Sequence, residues 1–446
     1  MSESERARLS TDGGRITTSI RFGSSLRAST LRAPAVVSLG AMWARGPLAS
    51  VALLAALVAF VAFQLSDPAP QVRVKGTTVT TAPAEDVEPH DAPAETELVS
   101  LRLSFTGGVY LDPGVKTAAQ GVGVFTAKPF DFGMALQQVK PLLEESDLAL
   151  CHLGQPLTLD DPPAPVEAAA TEGEVLPTFN AFSSVVSALS EAGYDGCSAA
   201  SNRALEQGVG GVIGTISTLQ RAGLVQSGMA DDPIEAFATP MYEVEGVQVA
   251  HLSFTTTVNQ REPLGEVPFL VGLADLPTML AKADAARASG ADFVVVSVHF
   301  AENGPEPTDA QQQIAKALLA SDDVDLVIGH GPVVQPIDRV GDEFVAYSLG
   351  NQLADIPQGG VPDGVILGVE ITGVVGDEFH VTSLTHVATY YDAATGVVVP
   401  VARTLDAPDT PEPFRDELWA AWDRVLARLD ARGADWYGVR PLETPS

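Results

Sequence analysis

Basic charge is what this 446-residue chain has least of. Its 26 Lys and Arg stand against 57 Asp and Glu, for a formal net charge of -31, and only six of the basic residues are Lys. Neutralising a phosphate backbone needs a basic face, so a nucleic-acid partner is excluded. Cysteine is nearly absent too: Cys151 and Cys197 are the only two. Each sits near the end of an apolar run that reads as a buried strand, and one disulfide or two buried thiols fit the sequence equally. No phosphate-binding glycine loop, no Gly-x-Ser-x-Gly and no Cys-His pairing at useful spacing occurs, and no repeat at solenoid periods. An apolar fraction of 46% is ample for a core, in one large or two ordinary domains.

The few basic residues are unevenly placed. Arg6, Arg8, Arg15, Arg21, Arg27, Arg32 and Arg45 face only Glu3, Glu5 and Asp12 in the first 45 residues, and residues 47–65 (PLASVALLAALVAFVAFQL) then carry no charge before Asp67. As a helix rising about 1.5 Å per residue, that run reaches roughly 28 Å, the thickness of a bilayer core. The expectation is a basic cytoplasmic arm (1–46), an uncleaved signal anchor (47–65) and, by the positive-inside rule, an extracytoplasmic remainder. Residues 66–97, rich in Pro, Ala, Thr and acids, read as an extended linker.

From Leu98 the pattern alternates strands (LVSLRLSFTG, DLALCH, YDGCSAAS, ADFVVVSVHF, VDLVIGH) with helices at 180–192, 209–222, 276–289 and 310–321, which predicts parallel βα units. After His330 the segments QPIDRV, EFVAYSL, GVILGVEIT and EFHVTSLTHVA follow without helices and predict antiparallel pairing. A main domain over 98–400 and a helical extension over 401–446, built on PFRDELWAAWDRVLARLDARG, complete the expected α/β organisation.

Ligands of such sheets bind beyond the carboxyl ends of strands, which is where Gly107-Gly108, His152, Ser201-Asn202-Arg203, His299 and His330-Gly331 fall. The segments FTGGVYLD, DLALCHLGQPLT, SNRALE, VVVSVHF, VIGHGPVVQP and YSLGN, with the longer stretch GYDGCSAASNRALEQGVGGVIGTISTLQRAGL, resemble in order and context the actinobacterial-type branch of the CapA family of poly-γ-glutamate and capsule biosynthesis proteins. The resemblance implies a two-sheet αββα sandwich of the calcineurin-like metallophosphatase type and a dinuclear metal site. It also shows that site depleted: Gly108 stands for the lead Asp, Gly154 for a Glu, Arg203 for a His, Gly331 and Val333 for two further His, and Phe300-Ala301 for Trp-Gly. Asn202, His299 and His330 are the ligand positions retained, while Gly108, His152, Gly154, Arg203 and Asn351 are expected to line the pocket.

Two imidazoles and an amide are too neutral a set for two dications, and a guanidinium beside them repels metal. The expectation is therefore a pseudoenzyme without cofactor, serving polymer synthesis or export by binding an anionic envelope polymer or other capsule-synthesis proteins. The alternative is a phosphoesterase or amide hydrolase using Mn, Fe or Zn around His299 and His330, with Asp112, Glu206, Glu302 or Glu306 supplying a carboxylate. Arg203 is a candidate for direct anion binding. His90, His251, His380 and His386 fall outside the motifs.

Overall fold

The computed structural model describes residues 98–159, 179–260, 267–355 and 361–446, with the short pieces 72–73, 170–171, 174–175 and 264–265. The expected anchor at 47–65 lies outside the described residues, among which no helix is long and apolar enough to cross a membrane.

In chain order the strands are β1 (Val72–Arg73), β2 (Val99–Val109), β3 (Leu148–Leu153), β4 (Ala170–Thr171), β5 (Glu174–Val175), β6 (Gly196–Ser198), β7 (Val225–Ser227), β8 (Met241–Val244), β9 (Val247–Thr255), β10 (Phe293–His299), β11 (Leu326–His330), β12 (Ile337–Val340), β13 (Glu343–Ala346), β14 (Asn351–Leu353), β15 (Asp363–Gly373), β16 (Phe379–Asp392), β17 (Val397–Pro400) and β18 (Arg440–Pro441). The helices are α1 (Pro113–Thr126), α2 (Gly133–Leu136), α3 (Lys140–Glu144), α4 (Ser183–Ala192), α5 (Gly208–Arg221), α6 (Leu276–Ala288), α7 (Asp309–Leu318), α8 (Val401–Asp406) and α9 (Glu412–Leu429).

One sheet runs β17-β16-β15-β2-β3-β6-β7 and the other β1-β8-β9-β10-β11-β13-β12. The two share a central core in which Leu103, Phe105 and Leu150 meet Phe293, Val295 and Ile328. On its outer face the first sheet packs α1 to α4 through Val115, Leu136, Leu142 and Leu189, and the second packs α6 and α7 through Met279, Ala283 and Leu318. The result is a mixed α/β fold of two stacked sheets between helical layers. The strands after His330 are less uniformly antiparallel than their sequence suggests, because β13 joins β11 in parallel and β14 joins β2 in parallel. Within the segment read as linker, β1 pairs with β8 in parallel.

The period of two along each strand decides which side chains enter the space between the sheets. In β10, Phe293 and Val295 belong to the central core and Val294, Val296 and Val298 to the outer one, so Ser297 and His299 continue the inner row. The same count sends His152 inward from β3 and His330 from β11. On β9 it takes His251, Ser253 and Thr255 inward. The inner face is thus apolar at the strand amino ends and polar at the carboxyl ends.

Cys151 and Cys197 lie in register on β3 and β6, with Cα atoms 4.4 Å apart, and form a disulfide. At the other end, α9 adds Leu418, Trp422 and Val425 to the central core. Asp363, fully buried on β15, holds that helix through a two-pronged bond to Arg424 at 2.7 and 2.8 Å.

Candidate functional site

Strand register gathers the sequence-flagged residues into facing rows. Asn351, Gly108, His152 and Ser198 are level across β14, β2, β3 and β6, and Thr255, His299 and His330 across β9, β10 and β11. Gly108 reaches this row because β2 shifts register between Phe105 and Gly108. Gly107 allows the shift, since a side chain there would stand 2.3 Å from the Gly350 carbonyl.

Where the rows meet, the His152 ring stacks on His330 with centroids 4.2 Å apart, and His299 lies 5.0 Å from His152. All three rings are at most 3% exposed. Burial, followed by the mutual repulsion of the rings, holds His152 and His330 well below the ordinary histidine range. Burial and then the Arg203 charge lower His299 to about 3. His251, which no motif flags, is lowered to about 4 by burial and bonds Ser297 Oγ at 2.8 Å. The imidazoles are therefore neutral, and each ring offers one donor and one acceptor.

The hydrogen bonds between them run one way. Glu206 can only accept, so Asn259 Nδ2 donates to its Oε1 at 2.6 Å and Asn259 Oδ1 accepts from Asn202 Nδ2 at 3.4 Å. That turns Asn202 Oδ1 toward His299, whose Nε2–H donates at 3.1 Å, leaving His299 Nδ1 to accept from His152 Nε2–H at 3.1 Å. His152 Nδ1 then accepts from Ser198 Oγ–H at 2.8 Å, and Ser198 Oγ accepts from His330 Nε2–H at 3.4 Å. The tautomers are assigned from this network, and only His330 Nδ1 ends it without a partner among the described residues. Asn351 Oδ1 is likewise buried and unpartnered there.

Arg203 and Glu206 are committed to each other. Arg203 Nη1 bonds Glu206 Oε1 at 2.9 Å, and its guanidinium lies 3.9 Å from the Phe179 ring centroid. The Phe179 backbone N–H donates to Glu206 Oε2 at 2.7 Å. Burial nevertheless raises the Glu206 pKa, against the opposing pull of Arg203. Asp112 caps α1, accepting from Gly114 and Val115 at 3.0 Å and from the Asp355 N–H. Glu302 and Glu306 lie half-buried and exposed on the loop after β10. In that loop Ala301 has φ 58°, a left-handed backbone at the position where the resemblance places Gly.

Tyr110 was not anticipated from the sequence. A Cβ at Gly108 would stand 2.5 Å from its Cε2, and one at Gly154 2.1 Å from its Cζ. The ring thus fills the space beside both glycines, and burial pushes its hydroxyl up to about 12. Its signal was its place two residues after Gly108, on the same side of the strand. Ser198 and Asn259 were also missed, and the latter joins through contacts 53 and 57 residues away in sequence, which no local pattern encodes. Among the described residues, no group of three or more His, Cys, Asp or Glu is arranged to hold a metal ion.

Residues 102–356, more than half of the chain, match the profile described as bacterial capsule synthesis protein PGA_cap. The chain is 27% identical over 262 residues to the capsule biosynthesis protein CapA of Bacillus anthracis, covering 57% of this chain and 60% of that protein. It is 26% identical over 263 residues to the PGA biosynthesis protein CapA of Bacillus subtilis (strain 168), covering 57% of this chain and 63% of that protein. The match therefore spans less than two thirds of either relative. Among solved structures, a novel phosphatase from Mycoplasma pneumoniae superposes with TM-score 0.37 and 11% identity over 66% of this chain and 94% of that one. The NAD nucleotidase of Haemophilus influenzae gives 0.38 and 9% over 73% of this chain and 60% of that one. The extent of the profile match places this chain in the bacterial capsule synthesis protein PGA_cap family, to which the CapA-like motifs at its strand ends pointed.

Proposed function

We propose that this chain is a membrane-anchored, extracytoplasmic component of capsule or poly-γ-glutamate type polymer synthesis or export, whose metallophosphatase-type sandwich binds rather than hydrolyses. The uncharged run at 47–65 behind an Arg-rich arm supports the anchor, and the Cys151–Cys197 disulfide suits an oxidising exterior.

The observation that carries the non-catalytic reading is the closed hydrogen-bond chain. A dinuclear Mn, Fe or Zn centre needs anionic ligands to hold two dications and generate hydroxide. Here two of the candidate carboxylates serve other partners: Glu206 pairs Arg203, and Asp112 caps a helix. All but one of the ring nitrogens of His152, His299 and His330 are spent within the protein. These residues do not fit such a centre. Partners on this reading are an anionic envelope polymer or other capsule-synthesis proteins. Arg203 bonds Glu206 through Nη1 and keeps 24% exposure, and it is the cation proposed to contact the anion.

The second reading, a metal-dependent phosphoesterase or amide hydrolase, is favoured by the open His330 Nδ1. The two are separated by loading the purified full chain with Mn, Zn or Fe, desalting, and measuring metal by plasma mass spectrometry. No retained metal is expected. About one ion or more per chain, lost on His299→Ala and His330→Ala, overturns the non-catalytic reading.

A further inference from the structure

Glycine occurs at positions 107, 108 and 154 around the histidine cluster, but not for one reason. At Gly107 the obstacle to a side chain is backbone, the Gly350 carbonyl at 2.3 Å. Gly108 and Gly154 are not among the residues with positive φ, so their conformations are open to any L-residue. At Gly154 the three nearest obstacles are all atoms of the Tyr110 ring and hydroxyl, at 2.1 to 2.5 Å; at Gly108 they are the same ring at 2.5 Å and Asn351 Oδ1 at 2.9 Å. Both glycines flank His152, Gly108 level with it on the neighbouring strand and Gly154 two residues further along its own chain. Side chains at the two positions would enter the space beside His152, and Tyr110 has taken it.

We infer that Tyr110 seals this site: its ring occupies the volume that acidic side chains at 108 and 154 would need, and this occupation, beyond the mere loss of carboxylates, keeps a divalent cation out. The inference rests on the non-catalytic reading and adds to it a coupled set of three residues. Tyr110 tolerates only glycine at 108 and 154, and with glycine there the cavity that two lost side chains would leave is filled rather than empty.

The test uses the full chain and Mn alone as probe. Gly108→Asp with Gly154→Glu is expected to retain no more Mn after desalting than the parent and to melt well below it. Adding Tyr110→Ala is expected to restore the melting temperature and to yield about one retained Mn per chain, with a rise in melting temperature on adding Mn. Equal Mn retention with and without Tyr110 overturns the inference, as does a folded triple variant that takes up none. Retention by the parent itself overturns the non-catalytic reading instead.

Should the acidic variants fail to fold, Gly154→Ala decides the matter, because there every nearest obstacle belongs to Tyr110. It is expected to lower the folding equilibrium constant by roughly tenfold or more beside Tyr110, and by less than about threefold in a Tyr110→Ala background. Equal losses in the two backgrounds overturn the inference.

Discussion

Glu206 anchors the site, and its removal has a cost that can be worked from its partners. The carboxylate accepts from Arg203 Nη1 at 2.9 Å, from Asn259 Nδ2 at 2.6 Å and from the Phe179 N–H at 2.7 Å, and the residue is 4% exposed. Glu206→Ala leaves all three donors facing a void. Stripping one partner from a buried ion pair costs about 3–5 kcal/mol, and a stranded neutral donor about 1–3 kcal/mol. The Arg203 side chain keeps 24% exposure, so water relieves part of its loss, and a total near ~4 kcal/mol is expected. Glu206→Gln preserves one acceptor and should cost about half as much. In Arg203→Ala with Glu206→Ala the unpaired charge disappears, so the double variant should fall short of the summed single costs by about 1 kcal/mol or more. Urea unfolding of the parent, the three single variants and the double variant measures this. A cost below about 1 kcal/mol for Glu206→Ala, or single costs that simply add, would refute the account of Glu206 as the fixed end of the chain.

Acid should destabilise the fold. The folded pKa values of His299 (about 3), His251 (about 4) and His386 (about 4) lie below the unfolded value near ~6.5, so the unfolded state takes up protons first and stability falls as pH drops through ~6.5. Each ring loses about 2 kcal/mol between pH 6.5 and 5 at 1.36 kcal/mol per unit, and His152 and His330 act in the same direction. Asp325 and Glu343, raised to about 6 and about 7 chiefly by burial, offset part of it, because their protonation favours the folded form. Unfolding free energies that are flat or rise from pH 7 to 5 would contradict this balance. Reducing the disulfide, which closes a loop of 46 residues, should cost up to about 4 kcal/mol on the chain-entropy account, seen as a lower urea midpoint in dithiothreitol. Ala301→Gly should stabilise by about 0.5–1 kcal/mol by relieving the left-handed φ, and a loss on substitution would show that the Ala301 methyl is needed. Asp363→Ala should cost about 3–5 kcal/mol and increase proteolysis of α9, whereas an undisturbed melt would mean that apolar packing alone holds that helix.

Much of the architecture is legible in the chain. Near-continuous apolar runs in ADFVVVSVHF and VDLVIGH mark strands buried on both faces, whose period of two puts the terminal histidines on the side of the inner core residues, and the βα rhythm before His330 predicts the parallel pairs found between β9, β10 and β11. Less legible were α1, hidden in a Gly- and Ala-rich stretch without a strong apolar stripe, and β14, three residues long, which reaches its partner only across the fold.

The site divides along the same line. Sequence by itself determined which residue types stand at the strand ends, because period-two patterning and motif order are local. Only the tertiary structure decided that Tyr110 fills the space beside Gly108 and Gly154, and that Glu206 orients three histidines through Asn259 and Asn202. Those relations depend on cross-strand register and on loops meeting over dozens of residues, and neither side-chain volume nor hydrogen-bond direction is set until the two sheets close on each other.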